Sequence, residues 1–128
     1  MSDENPLIEK SLYSFAQLKI DVEGNVKIAA GEGDGPVNAL DFALRSALQS
    51  FYPAVEQIRL TDYKVRVLDG RRGTETTVRV LIESSDGKDS WTTIGVSSDI
   101  VEASWLALVD SFEYKLIKDI ERRYQKLI

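Results

Sequence analysis

The sequence predicts an α+β fold made of two repeated βββα units, the first truncated, packed together and paired into a homodimer. Three observations carry this. The chain matches itself at a fixed offset: Gly31 with Gly95, Val37 with Val101, Ala39 with Ala103 and Leu44 with Leu108, always 64 positions apart, as 95 is from 31. In each copy the hydropathy period changes from about two to about 3.6, the sign of strands followed by a helix. Turn signals, Asp69-Gly70 and Asp86-Gly87, fall between the alternating stretches.

The second copy is the fuller one. Tyr63, Val65 and Val67 alternate with Lys64 and Arg66, and Val78, Val80 and Ile82 alternate with Arg79, Leu81 and Glu83, giving two half-buried strands. A third strand is predicted over about 90–95. A helix follows from Asp99, whose carboxylate can cap free N–H groups while Glu102 reaches back in the manner of a capping box. Val101, Trp105, Leu108 and Phe112 then form its apolar stripe.

In the first copy the same offset sets Ala16-Gln17-Leu18 against Val80-Leu81-Ile82. Strands are predicted near 12–22 and 25–30. The helix begins at Pro36 after Gly35, shows Val37, Leu40, Leu44, Ala47 or Leu48, and Phe51 on one face, and ends at Pro53. Residues 1–10 read as the stump of a missing strand, which implies that the chain is a piece of a longer protein. The whole, 1–128, is one domain, with repeat one about 11–52, repeat two about 58–117 and a helical extension over 118–128. Pairing into a homodimer follows from the apolar face that each unit leaves uncovered, since two-fold contacts are the commonest solution.

Composition narrows the function. The 128 residues carry a net charge of −5 with acids and bases interspersed, so no basic stripe is available for a phosphate backbone, and nucleic acid is not an expected partner. There is no Cys and no His. That removes disulfides, thiolate nucleophiles, imidazole metal ligands and the side chain best suited to acid–base work near neutrality. No run approaches the roughly 18 apolar residues of a membrane span and the N-terminus is acidic and polar, so a cytoplasmic protein with no membrane partner is expected. A small enzyme built on carboxylates alone is the reading with least support.

The wording of the sequence goes further than its pattern. Gly33-Asp34-Gly35-Pro36-Val37-Asn38-Ala39-Leu40 followed by Ala43-Leu44 resembles the G-x-G-P-V-[DN]-A-L segment of the regulatory domain at the C-terminus of 2-isopropylmalate and citramalate synthases, the homocitrate synthases of the same family being more distant on these motifs. The stretches from Leu60 to Asp69, Gly73-Thr74, from Trp91 to Ser97 and from Ile100 to Leu108 are similar to its remaining signatures. The similarity runs from about Ala16 to Leu116. It implies a non-catalytic domain of two βββα units, dimerised about a two-fold axis, that binds an end-product branched-chain amino acid near the dimer interface. The acyl transfer of the family takes place in a separate (β/α)₈ barrel, which supplies a divalent metal and takes acetyl-CoA; no cofactor is implied for the present chain. Asn38, the string from Asp62 to Asp69 and the Trp-bearing second helix resemble the citramalate branch, which implies isoleucine; the isopropylmalate branch would imply leucine. A dimerisation module without ligand is the other alternative.

The resemblance implies effector contacts at Gly33, Asp34, Gly35, Pro36, Val37, Leu60, Tyr63, Val67, Ser98 and Ile100. Each has a plainer reading. The glycines of Gly31-x-Gly33-x-Gly35 suit a tight strand-to-helix turn, although free N–H groups at the helix start also suit a carboxylate. Tyr63, Val65 and Val67 are core residues on pattern alone. Leu60 and Tyr63 have opposite parity in a regular strand, so sharing a pocket requires a bulge near Thr61-Asp62. Trp91 and Trp105 read as core or interface packing, and Asp62, Asp69 and Asp86 as ordinary turn or edge acids. The basic amphipathic tail from Lys115 onward is expected to pack on another part of the parent enzyme.

Overall fold

A computed structural model of the chain describes residues 7, 13–68 and 76–127. The order of elements is β1 (Ser14–Val22), β2 (Asn25–Gly33), α1 (Pro36–Leu48), a short 3-10 segment (Pro53–Gln57), β3 (Arg59–Leu68), β4 (Thr77–Ser85), β5 (Ser90–Ser97) and α2 (Ile100–Leu127). β1 and β2 form an antiparallel two-stranded sheet; β3, β4 and β5 form an antiparallel three-stranded sheet in that order. Each sheet is covered on one face by the helix that follows it. The fold is α+β.

Register explains the 64-residue offset. Ala16 pairs with Gly31 in the first sheet and Val80 with Gly95 in the second, so β1, β2 and α1 repeat β4, β5 and α2. At the centre of each repeat a helix lies flush on a strand glycine. A Cβ on Gly31 would sit 2.6 Å from both the Ala39 carbonyl oxygen and the Ala43 nitrogen; one on Gly95 would sit 1.9 Å from the Ala103 oxygen and 2.9 Å from the Ala107 nitrogen. Glycine opposite alanines four apart is therefore what lets each helix approach its sheet, and that requirement is what the self-match records. The element matching β3 would precede β1. The stretch 1–10 lies outside the described residues except for Leu7, as does the Asp69-Gly70 turn.

The two hairpins turn differently. Val22 pairs with Asn25, leaving Glu23 and Gly24 as a two-residue loop with both φ positive, 52° and 85°, the geometry whose twist suits the strands. Asp21 Oδ1 accepts the Gly24 N–H at 2.9 Å. Between β4 and β5, Asp86 Oδ1 accepts the N–H groups of Lys88 and Asp89 at 2.9 and 2.8 Å, and Gly87 takes φ of 90°.

Several local expectations shift. β2 runs to Gly33 and β5 to Ser97, each further than the alternation suggested. Pro53 opens the 3-10 segment; α1 has already ended at Leu48. The N–H of Asp99 is accepted by Ser97 Oγ at 3.2 Å, the place assigned to Glu102, although Asp99 does cap α2 by accepting the Val101 N–H at 2.9 Å. The buried face of α2 is rotated from the predicted stripe: Ala103, Ser104, Ala107, Leu108, Ser111, Phe112 and Lys115 face inward, while Val101 is exposed and Trp105 half-buried. Close approach at Gly95 puts the line of small residues against the sheet and moves large ones to its flanks. α2 continues unbroken through the stretch read as an extension.

The core joins the two helices, the 3-10 segment and β4, with Val55, Ile58, Val80, Ile82, Leu108 and Phe112 almost wholly buried. Each such side chain contributes about 1.5–3 kcal/mol on removal from water. Arg45 ties the units together: its guanidinium pairs with Asp41 at 3.0 Å, donates to the Val55 carbonyl at 2.9 Å and lies 5.1 Å over the Phe112 ring.

Candidate functional site

Of the residues singled out by sequence, Gly33 to Val37 in the first unit and Val67, Ser98 and Ile100 in the second fall at the same end of their units, whereas Tyr63 and Leu60 lie progressively further along β3 toward the other end. In the second unit Val67, Val78 and Ser97 form one cross-strand row, and Ser98 and Ile100 follow directly at the start of α2. The bulge that parity demands is present: β3 shifts register between Leu60 and Asp62, leaving Thr61 as the extra residue, with its Oγ1 donating to the Glu83 carbonyl at 3.1 Å. Leu60 then pairs with Ser84 and Tyr63 with Ile82, both buried residues of β4. Leu60, Tyr63, Val65 and Val67 thus share the helix-facing side of the sheet. The Tyr63 hydroxyl and Ser104 Oγ, one turn into α2 from Ile100, are 3.1 Å apart.

β3 is an edge strand that α2 does not cover along its whole length. Val65 and Val67, expected in the core, are exposed, Val67 by 60%. They leave an apolar shelf beside Ile100, itself partly exposed.

In the first unit Gly33, Asp34, Gly35, Pro36 and Val37 occupy the matching position, with Gly35 the counterpart of Asp99. The three glycines divide into two kinds. A Cβ on Gly33, as on Gly31, would collide with α1, at 2.7 Å from the Ala39 nitrogen, whereas one on Gly35 would meet nothing within 4 Å. Gly31 and Gly33 are packing residues; Gly35 lies open. α1 starts with Pro36 and has no side-chain cap. Its first carbonyl-to-amide bond is Ala39 N–H to Gly35 O at 3.1 Å, and Asp34 is engaged by the Asn38 side-chain amide at 2.6 Å. The amide ends of α1 are therefore available to an anionic group, while those of α2 are taken by Asp99.

Among the described residues of one chain these clusters line neither of the grooves that the structure shows. Val37, Leu60 and Tyr63 all touch the common core, but α1 packs on β1, β2, α2 and the 3-10 segment, and β3 chiefly on β4. Elsewhere among the described residues, an open groove of about 520 Å³ runs between the β1–β2 turn, α1 and the middle of α2, and none of the effector residues expected from the sequence lines it.

Sequence reasoning missed a buried ion pair. Lys115, read as part of a basic tail, is buried, and its ammonium donates to Asp86 at 2.6 Å and to Asp119 at 3.1 Å. Asp86, read as ordinary, is held well below the usual carboxylate range, first by backbone N–H bonds in its turn and then by Lys115. Burial pushes the Lys115 ammonium down, but the hydrogen bonds to the two carboxylates outweigh it and its pKa is raised. The Asp119 spacing of four was the available signal. Beside this pair, Trp91 Nε1 donates to the Ser111 carbonyl at 3.1 Å and to its Oγ at 3.0 Å, and Ser84 shares a 2.6 Å bond with Ser111. Among the described residues no three His, Cys, Asp or Glu side chains converge to hold a metal, and no helix is long and apolar enough to cross a membrane.

Residues 7–116 match the model of the LeuA allosteric (dimerisation) domain. The chain belongs to that family. It is 53% identical to an (R)-citramalate synthase of Aquifex aeolicus over 84% of its length, 51% to one of Geobacter sulfurreducens over 93% and 51% to one of Synechocystis over 88%. It spans about a fifth of each: 20%, 21% and 20% respectively. The LeuA match stops at Leu116, so the last turns of α2 lie beyond it.

Proposed function

We propose that this LeuA domain is the feedback-regulatory part of a citramalate synthase, a cytoplasmic acyltransferase that condenses acetyl-CoA with a 2-oxo acid, and that its effector is isoleucine. The run of citramalate synthases among the relatives, at about half identity over most of the chain, carries this reading. Acetyl-CoA and a divalent metal belong, on this reading, to the remainder of the parent enzyme. What the present residues do is bind and orient an amino acid. Its carboxylate is held at the uncapped start of α1, between Gly35 and Val37, where free N–H groups and the helix dipole favour negative charge. Its side chain lies against the face of β3 that carries Leu60, Tyr63 and Val67. The missing wall is supplied by a second copy, which brings β3 of one chain against the α1 start of the other. Occupancy then favours one arrangement of the attached catalytic parts, with a coupling energy of typically about 1–3 kcal/mol.

Isoleucine and leucine are isomers, so shape decides between them. A pocket fitted to a β-branched side chain leaves a void or clash with a γ-branched one, worth about 1–3 kcal/mol or roughly 10–200-fold. Titration calorimetry of the chain with isoleucine, leucine and valine should show isoleucine binding tightest, and Tyr63→Ala should narrow its lead over leucine. Leucine binding more tightly would reassign the parent to the isopropylmalate type. No heat with any of the three from an intact dimer would leave the domain a dimerisation module.

A further inference from the structure

The groove beside α2 and the tail of α2 are complementary in both surface and charge. The groove walls are apolar, with Leu44, Leu48, Tyr52, Trp105, Val109 and Leu116 among them, and Ile117 and Ile120 of the same helix also line it. Its charged lining residues are Asp21, Glu23 and Glu113, and no Lys or Arg lines it. Glu23 and Glu113 have no ion-pair partner among the described residues. That set gives nothing to hold a carboxylate, so the groove does not suit an amino-acid effector. It suits a cationic, amphipathic helix.

The chain carries such a helix. Ile117, Ile120, Tyr124 and Leu127 follow one another at spacings of three, four and three, the seam of a helix that packs on another helix. All four are more than half exposed, Ile120 by 58% and Tyr124 by 65%. At about 1.5 Å per residue α2 is about 42 Å long, against about 30 Å for the nine residues of β4, so its last turns overhang the sheet that buries its first part. Of the cations on those turns, Arg122 is engaged by Asp89, whereas Arg123 and Lys126 have no ion-pair partner among the described residues.

We infer that the part of the groove at Glu113, Leu116, Ile117 and Ile120 is covered by the α2 tail of a second copy, so that two α2 helices cross antiparallel about a two-fold axis near Ile120, each tail lying against that part of the other's groove. An antiparallel crossing centred there sets Tyr124 of each copy level with Leu116 of the other. It also sets Lys126 beside Glu113 and brings Arg123 toward the acidic turn at Asp21 and Glu23. The contact is self-complementary, as a two-fold interface must be. It covers the apolar seam and that part of the groove with one operation. This inference rests on the dimer reading above and assigns part of its interface to residues that the LeuA match does not reach.

The absence of Cys makes the test clean. Ile120→Cys places one thiol on each side of the proposed axis. Under mild oxidation it should be captured almost completely as a disulfide-linked dimer at micromolar concentration, whereas Leu106→Cys, also exposed but on another face of α2, should not. In sedimentation, Tyr124→Glu, an exposed change that circular dichroism should show to be folded, should weaken association at least tenfold. Added salt should weaken the wild-type dimer as well. A wild-type dimer in which Ile120→Cys fails to crosslink and Tyr124→Glu associates normally overturns the tail-in-groove contact while leaving the dimer reading intact. A wild-type monomer overturns both.

Discussion

The two repeats keep the same backbone contact and differ in what surrounds it. Both hold a helix against a strand glycine, Gly31 under Ala39 and Ala43, Gly95 under Ala103 and Ala107. Around Gly95 the unit is locked by polar bonds: Trp91 to Ser111, Ser111 to Ser84, Lys115 to Asp86, and Asp99 over the first turn of α2. The same positions of the first unit hold Lys27, Ala47, Ile20, Phe51, Val22 and Gly35. None of those polar bonds has a counterpart there. The second unit is the anchor, and the first keeps an uncapped helix start and an exposed sheet. Duplicated units preserve what the backbone cannot do without and are free to specialise elsewhere.

The largest effect should come from the shared contact. Gly95→Ala drives a methyl to 1.9 Å from a backbone oxygen that no rotamer can move, so α2 must lift from the sheet or the unit must open. Overpacking costs typically about 1–3 kcal/mol and occasionally more; Gly95→Ala should reach or exceed the upper end. Gly31→Ala, with its contacts at 2.6 Å, should cost about 2 kcal/mol. Urea denaturation of the two variants checks the ranking, and equal losses would mean that the units are clamped alike.

Next comes the lock that only the second unit has. Asp86→Asn keeps an oxygen to accept the Lys88 and Asp89 N–H groups and removes only the charge that faces Lys115. The Asp86 and Lys115 side chains are 3% and 5% exposed. Leaving the ammonium with Asp119 alone should cost about 2–3 kcal/mol, somewhat under the loss of a fully buried partner. The pH dependence has a definite sign. Asp86 has a folded pKa depressed from 3.8, so its contribution is present above the unfolded value and is lost as pH falls below about 4. Chemical denaturation at pH 7 and pH 3 should show a gap between wild type and Asp86→Asn at pH 7 that shrinks at pH 3.

Much of the fold was legible because its strongest constraint is written in single residues. A glycine facing alanines four apart cannot drift without losing the packing, so it survives as a self-match; alternation located β1, β3 and β4, and Pro36 the start of α1. What the sequence hid were features decided by tertiary contact. The burial of Lys115 depends on a turn 29 positions away. The rotation of α2 follows from its depth over Gly95, and the exposure of Val67 from the width of sheet that α2 spans. The bulge at Thr61 was demanded by the parity of Leu60 and Tyr63, but only register displays it. As for the site, the sequence identified two helix starts and an edge strand without revealing that one start is capped and the other open.

That last contrast gives the smallest change in stability and the sharpest functional test. Gly35 is the counterpart of Asp99, and a Cβ there meets nothing within 4 Å. Its φ of −160° is extended backbone that any residue adopts. Gly35→Asp should therefore fold, and its carboxylate should take the first-turn N–H groups of α1 as Asp99 takes those of α2. Since glycine is itself a tolerable N-cap, the gain should be only a few tenths of a kcal/mol, an upward shift in Tm of a degree or two. The same carboxylate would fill the place proposed for the effector's carboxylate and repel it, so isoleucine affinity should fall at least tenfold, about 1.4 kcal/mol. Thermal melts and calorimetry on one preparation read both. Gly35→Asp with raised Tm and lost binding would turn the open start into a copy of the closed one, and unchanged affinity in a folded variant would move the effector away from α1 altogether.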